Sequence, residues 1–254
     1  MPADDGGPSL LLPGFSGTPM LLAIDTSTRQ AGVALYDGDR GLLAEYNWHS
    51  ANRHTEELMP AVASMLAQSG VTPRALRAVA VALGPGSFTG LRVGLAAAKG
   101  LALACGLALL GIPTLDAVAY PHQAQPVPVI AVLQAGRGRV YWAPYAHGPG
   151  GWAAQEPARL STVPEMANAA VRPVMFVGEV SGADQASLIS WAGRPRVNFL
   201  PAALTMRRGG YLAELGWTRL EAGEADDPAT LSPIYLQQPD GAFGPGPAAV
   251  GGTP

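Results

Sequence analysis

"VALGPGSFTGLRVGLAAAKGLALACG", residues 81–106, joins an apolar strand to an apolar helix through a short turn. The turn contains four residues suited to holding a phosphate, namely Gly84, Gly86, Ser87 and Thr89. Glycines let a backbone approach an anion, and the first turn of a helix carries partial positive charge. The Walker spacing is absent, and Thr89 stands where a Rossmann motif needs its third glycine. The segment therefore predicts a strand, a tight turn and a helix, with only a weak phosphate motif.

The helix of this segment has two apolar stripes. The first consists of Leu91, Leu95, Ala98 and Ala102, and the second of Val93, Ala97, Leu101 and Ala104. Only Arg92 and Lys99 mark a polar edge. A helix on one face of a sheet buries one stripe, so a helix that is apolar all round needs a second cover. The second stripe predicts contact with another helix, unless other parts of this chain cover it.

Composition bounds the class of protein. The 254 residues suffice for one large domain or two ordinary ones, and 48% hydrophobic against 14% charged residues predicts a sizeable core. The net charge of −3 argues against a chain that binds nucleic acid without a partner protein, because neutralising the phosphates needs clustered lysine or arginine. The single cysteine, Cys105, excludes an internal disulfide and a cysteine-rich metal site, and it fits a reducing cytoplasm.

The apolar stretch Val93 to Ile112 resembles a membrane span in length. Lys99 lies near its centre, where a lysine costs about 2.5–3.5 kcal/mol. Strand–turn–helix units are ordinary in soluble α/β proteins, so we expect a buried helix and a cytoplasmic protein. No secretory signal is visible. The segments 1–19 and 239–254 are rich in glycine and proline, and we expect them to be disordered tails.

The order of predicted elements repeats along the chain. The first half has strands at 20–25, 31–36, 41–48 and 78–83, with helices at 55–69 and 90–106. The second half has strands at 128–134, 139–146, 152–160, 174–179 and 196–200. Its helices are predicted at a capping box of Thr162 and Glu165, at 182–193 and at 206–222. We therefore predict two βββαβα halves, 20–116 and 117–238, in the duplicated actin-like (ASKHA, ribonuclease H-like) α/β fold.

In that architecture the first hairpin holds phosphates, and a carboxylate orients metal and water. Here the first strand ends in four polar residues, Asp25, Thr26, Ser27 and Thr28. Such residues also dominate ordinary turns, so a plain polar turn remains open. The position equivalent to Asp25 in the second half holds Gln134, whose amide cannot act as a general base or replace a carboxylate on Mg²⁺. The loops are thus predicted to be vestigial phosphate-type loops without hydrolytic machinery.

Metal and nucleophile signatures are also missing from the sequence. Two ligands on one helix face need histidines four residues apart, and the partner position of His54 is Leu58. We interpret His54 as a residue that starts a helix. No serine–histidine–acid arrangement has a local signature. The sequence predicts no catalytic residue and no metal site.

Four segments resemble the bacterial TsaB family, formerly YeaZ. They are "LLAIDTST" (21–28), "HTEELMPAV" (54–62), "GPGSFTGLRVGLAAAKGLA" (84–102) and "SPIYL" (232–236), and the resemblance spans about residues 20–238. It implies an actin-like fold and a non-catalytic subunit that binds and activates TsaD in making threonylcarbamoyladenosine on tRNA. It further implies a ternary complex with TsaE, a homodimer when alone, and tRNA contacted through the complex. ATP is then used by the complex, so this chain needs no cofactor.

Two departures from the related patterns bear on function. Family members often carry an acidic residue before "VYW", where this chain reads "LQAGRGRVYW" with Gln134, Gly136 and Arg139. The catalytic relative TsaD carries a histidine pair of which this chain lacks the second member. Two alternatives remain open. An actin-fold phosphotransferase needs a second cleft carboxylate, and an M22-like peptidase needs a metal pair or a nucleophile–base pair.

The first two helices of the N-terminal half are predicted to form the partner surface. Met59 and Ala63 make a second apolar edge beside the core positions of the first helix. The predicted partner interface consists of Met59, Ala63, Val93, Ala97, Leu101 and Ala104. Two adjacent helices of this kind would leave an apolar patch larger than a soluble monomer usually exposes.

Overall fold

The computed structural model describes residues 19–170, 173–192 and 197–236. The two expected tails lie outside these ranges, apart from Pro19.

The first sheet has five strands in the order β3-β2-β1-β4-β5. They are β1 (Met20–Asp25), β2 (Gln30–Asp37), β3 (Gly41–His49), β4 (Leu76–Gly84) and β5 (Ala108–Pro113). β1 pairs antiparallel with β2 and parallel with β4. Successive side chains of a strand point to opposite faces, and both faces here are apolar. Leu22 and Ile24 pack under helices α1 (His54–Gln68) and α2 (Phe88–Cys105), whereas Leu21 and Ala23 pack under α6 (Gly209–Glu221).

The second sheet repeats that order as β11-β10-β6-β7-β8. Its strands are β6 (Val129–Gly136), β7 (Arg139–Gly148), β8 (Gly151–Ala154), β10 (Val174–Gly178) and β11 (Val197–Phe199), and β9 (Arg159–Thr162) pairs with β7. Helices α4 (Val163–Ala169) and α5 (Gly182–Ala192) cover one face, and α3 (Thr114–Ala119) covers the other. The predicted duplicated α/β fold is confirmed. The capping box is confirmed too, since Thr162 N donates to Glu165 Oε2 at 2.8 Å.

The apolar stretch that resembled a membrane span is divided between two elements. α2 ends at Cys105, Gly106 adopts a left-handed φ of 66°, and Ala108–Pro113 form β5. The sequence analysis missed β5 because a short apolar run reads alike as the end of a helix and as a buried strand. Within the described ranges one helix, Phe88–Cys105, is long and apolar enough to cross a membrane by length and composition. In this fold it packs on β4.

The strand predicted at 152–160 is two strands, β8 and β9, which pair with opposite ends of β7. Pro157 lies between them, and proline cannot donate a backbone hydrogen bond to a sheet. The last helix begins at Gly209 instead of Met206.

The closing helices of the two halves are exchanged in space. α6 follows the second sheet but buries Leu212 and Ala213 on the first. α3 ends the first half but buries Leu115 and Val118 on the second. The predicted boundary between 116 and 117 cuts through α3, and the predicted range 117–238 places α6 with the wrong sheet. Each sheet has a second apolar face, and a helix from the other half covers it.

Candidate functional site

A cleft of about 850 Å³ separates the two halves. The first half contributes Thr28, Gly86 and Ser87 to its lining, and the second contributes Gln134, Gly178 and Glu179. The ends of β1 and β4 therefore face the ends of β6 and β10, as the predicted duplication requires. The two predicted phosphate-type loops meet at this cleft.

The two loops bond to each other. Ser87 N donates to Ser27 O at 2.6 Å, and Thr26 Oγ1 donates to Gly90 O at 2.7 Å. A Cβ atom on Gly86 would lie 2.2 Å from Ser27 O, and one on Gly90 would lie 2.1 Å from Thr26 O. These glycines are thus required for close packing of the start of α2 against the first loop. The Thr26 hydroxyl and the Ser87 N–H are therefore both used in hydrogen bonds within the protein.

The remaining members of the two loops have different surroundings. The Ser87 side chain caps α2 by accepting from Gly90 N at 3.3 Å. Thr89 is exposed on the first turn of the helix. Gly84 has a positive φ of 112°, and a Cβ atom there would lie 2.6 Å from Ile234 O, on the chain that follows α6. The turn therefore sets the direction of α2 and packs closely against the C-terminal segment.

Asp25 is buried in an ion pair that the sequence analysis missed. Its Oδ1 accepts from Ser27 N at 2.9 Å and from Ser27 Oγ at 2.6 Å. Its Oδ2 accepts from Nε of Arg207, and the two side chains are only 5% and 2% exposed. Arg207 lies in the segment that leads into α6. Both oxygens of the predicted phosphate-site carboxylate are therefore engaged by the protein.

The guanidinium of Arg207 binds four groups around the base of the cleft. Besides Asp25, its Nη2 donates to Thr28 Oγ1 at 3.0 Å and to Gln30 O at 2.7 Å. Its Nη1 lies 3.4 Å from Glu179 Oε1. Burial lowers the pKa of Arg207, but the charges and hydrogen bonds of Asp25 and Glu179 outweigh burial and raise it above its usual value. The guanidinium is held in its charged form.

Gln134 has an amide side chain at the position equivalent to Asp25, and it donates hydrogen bonds to neighbouring acidic residues. Its backbone N–H donates to Glu179 Oε2 at 3.0 Å, and its Nε2 donates to Glu179 O at 2.8 Å and to Asp184 Oδ2 at 2.9 Å. Glu179 Oε1 also accepts from Thr28 Oγ1 at 2.6 Å. The sequence analysis expected no second carboxylate in the cleft, and Glu179 corrects that. It follows β10 instead of β6, so comparison of the two first strands could not find it.

His54 begins α1, as predicted. Its side chain is buried, and burial lowers the pKa of the imidazole. Its Nδ1 is buried and has no hydrogen-bond partner in the described part of the chain. Leu58, one turn on, is a core residue. Among the residues that the structure describes, no three histidine, cysteine, aspartate or glutamate side chains are grouped to hold a metal.

The magnesium nucleotide that actin-like ATPases hold does not fit these residues as they are placed. A hard cation would need free carboxylate oxygens, and those of Asp25 are bonded to Ser27 and Arg207. The oxygens of Glu179 accept from Thr28 and Gln134 and face the same guanidinium. A cation could bind only by displacing Arg207.

The predicted partner interface divides into exposed and half-buried residues. Met59 is 43% exposed, and Ala63 and Ala104 are exposed. Val93, Ala97 and Leu101 are half-buried and pack against the core of the first half. The stripe Leu91, Leu95, Ala98 and Ala102 is buried, as predicted.

The sequence analysis missed the most exposed apolar side chain of α2, Leu103, which is 74% exposed. Ala96 lies two helical turns before it and is also exposed. We define the α1–α2 face as Met59, Ala63, Ala96, Gly100, Leu103 and Ala104, all exposed on the outer sides of these helices. Arrangement on the helix by 100° per residue would have identified Leu103, because it lies about 110° away from the centre of the buried stripe.

Comparison with known proteins identifies the family. A family model described as "TsaD: tRNA N6-adenosine threonylcarbamoyltransferase" matches residues 48–237. The tRNA threonylcarbamoyladenosine biosynthesis protein TsaB of Bacillus subtilis is 34% identical over 221 residues, which cover 85% of this chain and 93% of that protein. The chain belongs to the TsaB (YeaZ) family.

Two further proteins are similar to this chain over most of its length. An uncharacterized protein of Mycobacterium tuberculosis is 33% identical over 226 residues, 87% of this chain and 92% of that one. The solved structure of YeaZ from Pseudomonas aeruginosa covers 86% of this chain and all of its own, with a TM-score of 0.68 and 26% identity. The TsaB-family chain is thus a member of a group that acts in tRNA threonylcarbamoyladenosine biosynthesis.

In this TsaB-family chain the third and fourth resembling segments, 84–102 and 232–236, are in contact. Ile234 N donates to Leu83 O at 2.8 Å, which carries the "SPIYL" segment across the end of β4. The ring of Tyr235 lies 5.2 Å from that of Phe88, and Arg92 Nε donates to Tyr235 Oη at 3.1 Å. The C-terminal segment and the "GPGSFTGLR" turn therefore form one structural unit.

Proposed function

We propose that this chain is a non-catalytic subunit of the tRNA threonylcarbamoyladenosine modification complex, and that it binds and activates the catalytic subunit TsaD. The observation that carries the proposal is the α1–α2 face. Leu103 and Met59 project from it with 74% and 43% of their side chains exposed. Exposed apolar side chains grouped on adjacent helices are typical of protein–protein contact surfaces.

The composition of the face suits a helical partner. Ala63, Ala96, Gly100 and Ala104 are small, and a Cβ atom on Gly100 would meet nothing within 4 Å. Small residues let two helix backbones approach closely, and larger apolar side chains then fill the grooves between them. The family model that matches this chain is a TsaD model, so we expect TsaD to present equivalent helices. A second copy of this chain would present the same face, which supports a homodimer in the absence of TsaD.

The cleft supports a role without catalysis. Asp25 is neutralised by Arg207, and Leu58 takes the place of a second histidine on α1. A free-standing phosphotransferase or M22-like peptidase has no unoccupied carboxylate or histidine pair to use in the described part of this cleft. In the proposed complex, ATP is used by the complex rather than by this chain, tRNA is contacted through the complex, and the site of action is the cytoplasm.

Pull-down of TsaD and gel filtration of the free chain test the proposal. Met59→Glu and Leu103→Glu each place a carboxylate on the α1–α2 face. Burying an unpaired charge costs several kcal/mol, so we expect TsaD binding to weaken about 100-fold or more. Ala97→Glu is a poorer choice, because Ala97 is half-buried against the core of its own half.

The matched control is Leu204→Glu, which makes the same change at an apolar side chain that is 60% exposed. Leu204 lies between β11 and α6, away from α1 and α2 in the sequence. This variant should leave TsaD binding and oligomeric state unchanged. Circular dichroism and melting temperatures verify that all three variants fold. Retention of TsaD by folded Met59→Glu and Leu103→Glu would show that the α1–α2 face is not the contact surface.

A further inference from the structure

Arg207 connects the two halves of the molecule at the base of the cleft. It is anchored in the first half, where Asp25 accepts from its Nε and Gln30 Nε2 donates to its backbone O at 3.3 Å. Its Nη1 reaches Glu179, which follows β10 of the second sheet. Glu179 in turn accepts from Thr28 of the first half at 2.6 Å. A single buried guanidinium thus lies between carboxylates from both sheets.

We propose that Arg207 is a built-in cation that clamps the cleft, so that the angle between the halves does not depend on a bound nucleotide or metal. Proteins of this architecture that act on ATP close their cleft around a ligand. Here Asp25, Thr28 and Glu179, which meet at the base of the cleft, already have partners within the chain. The proposal is independent of TsaD binding, because the α1–α2 face takes no part in it.

The groups around the guanidinium explain why a cation is needed there. Asp25 and Glu179 bring two negative charges to one small volume, and Asp25 is almost wholly buried. Without Arg207 the two carboxylates would repel each other across the cleft in a poorly solvated place. Arginine suits the position, because its planar fork of donors can bind several acceptors at once. The observed acceptors are two carboxylates, the Thr28 hydroxyl and the Gln30 carbonyl.

Three of those four acceptors, the two carboxylates and the Gln30 carbonyl, are oxygen types that calcium prefers, and calcium tolerates irregular geometry. Arg207→Ala should therefore remove the permanent positive charge of the guanidinium and leave a site in which a calcium ion can bind reversibly. In the absence of divalent ions, we expect the melting temperature of the variant to be about 10 °C below that of the parent. Removing one member of a buried ion pair leaves the other charge buried without a partner. Millimolar calcium chloride should restore a large part of that loss, and it should leave the parent's melting temperature unchanged.

Arg208→Ala is the matched control. Arg208 is the neighbouring arginine, is partly exposed and pairs with Glu45 in the first half. It should lower the melting temperature less and show no response to calcium. A folded Arg207→Ala variant without a calcium response, or a parent that responds as strongly as the variant, would overturn the proposal.

A second variant covers the outcome in which Arg207→Ala does not fold. Asp25→Asn combined with Arg207→Met removes both buried charges and keeps their volumes, a type of exchange that buried ion pairs often tolerate. Spin labels on Thr72→Cys and Ala186→Cys, both exposed and in opposite halves, report the distance across the molecule when Cys105→Ser removes the native thiol. We expect one narrow distance distribution in the otherwise native chain and a broader or longer one in the double variant, which lacks the cation that pairs with Glu179. Identical distributions would contradict a clamp.

Discussion

Tyr145 Oη donates a 2.6 Å hydrogen bond to Asp116 Oδ1, and this bond joins β7 of the second sheet to α3 at the crossing between the halves. Burial raises the pKa of Asp116, and the hydrogen bond from Tyr145 lowers it by a smaller amount. Burial also raises the pKa of Tyr145. The junction therefore contains a carboxyl that folds more favourably in its neutral form.

The raised pKa of Asp116 predicts a pH-dependent contribution to stability. A carboxyl whose pKa is higher in the folded state contributes stability fully below its unfolded value, near 3.8, and loses it as pH rises through the folded pKa. Asp116→Asn keeps an acceptor for Tyr145 and removes this loss. We expect the melting temperature of the variant, relative to the parent, to increase between about pH 4 and pH 7. A constant difference across that range would refute the assignment.

Tyr145→Phe tests the same bond from the other side. It leaves Asp116 without its donor, so we expect a loss of about 1–3 kcal/mol in the free energy of unfolding at neutral pH. The loss should be smaller at low pH, where the carboxyl is protonated. Urea denaturation at two pH values measures it.

Gly90 and Gly100 lie in the same helix and should respond in opposite ways to alanine. A Cβ atom on Gly90 would lie 2.1 Å from the backbone Thr26 O, so α2 would have to move away from the first loop. We expect Gly90→Ala to lower the free energy of unfolding by about 1–3 kcal/mol. Gly100 has open space around it, and alanine there should stabilise the helix by up to about 1 kcal/mol. Equal stability of the two variants in urea would show that the close approach of α2 to the loop is unimportant.

The purified chain should not hydrolyse ATP. Both oxygens of Asp25 are bonded within the protein, and Glu179 is bonded to Thr28, Gln134 and Arg207, so neither is free to hold a metal or activate water. Phosphate release with ATP and magnesium should stay at the level of a buffer blank, and Asp25→Asn should not change it. Turnover that persists through purification and disappears in Asp25→Asn would contradict this prediction.

Local patterns were sufficient for most of the fold. Strands such as β1 are short apolar runs that end in polar turns, and the capping box at Thr162 marks the start of α4. β5 was missed because Ala108–Pro113 continues the apolar character of α2, and only the left-handed Gly106 separates them. α3 packs on the second sheet and α6 on the first because each sheet has one apolar face that the helices of its own half do not cover. No local sequence pattern shows which helix covers that face.

The decisive residue of the cleft could not be predicted from neighbouring sequence. Arg207 is 182 positions from Asp25, and it is one of two adjacent arginines of which the other is partly exposed. Nothing near it resembles a motif. Gln134 was correctly distinguished from a carboxylate, but the Glu179 that bonds to it follows a different strand. Long-range pairing of charges is a property of the assembled sheets.

Reconstituted modification of tRNA by TsaD and TsaE, with ATP and a donor of the threonylcarbamoyl group, with or without this chain, tests the proposed function most directly. We expect threonylcarbamoyladenosine to form only when the chain is added, to be lost with Leu103→Glu, and to be retained with Leu204→Glu. Formation of the product without the chain, or an equal yield with folded Leu103→Glu, would contradict a subunit that acts by binding TsaD through α1 and α2.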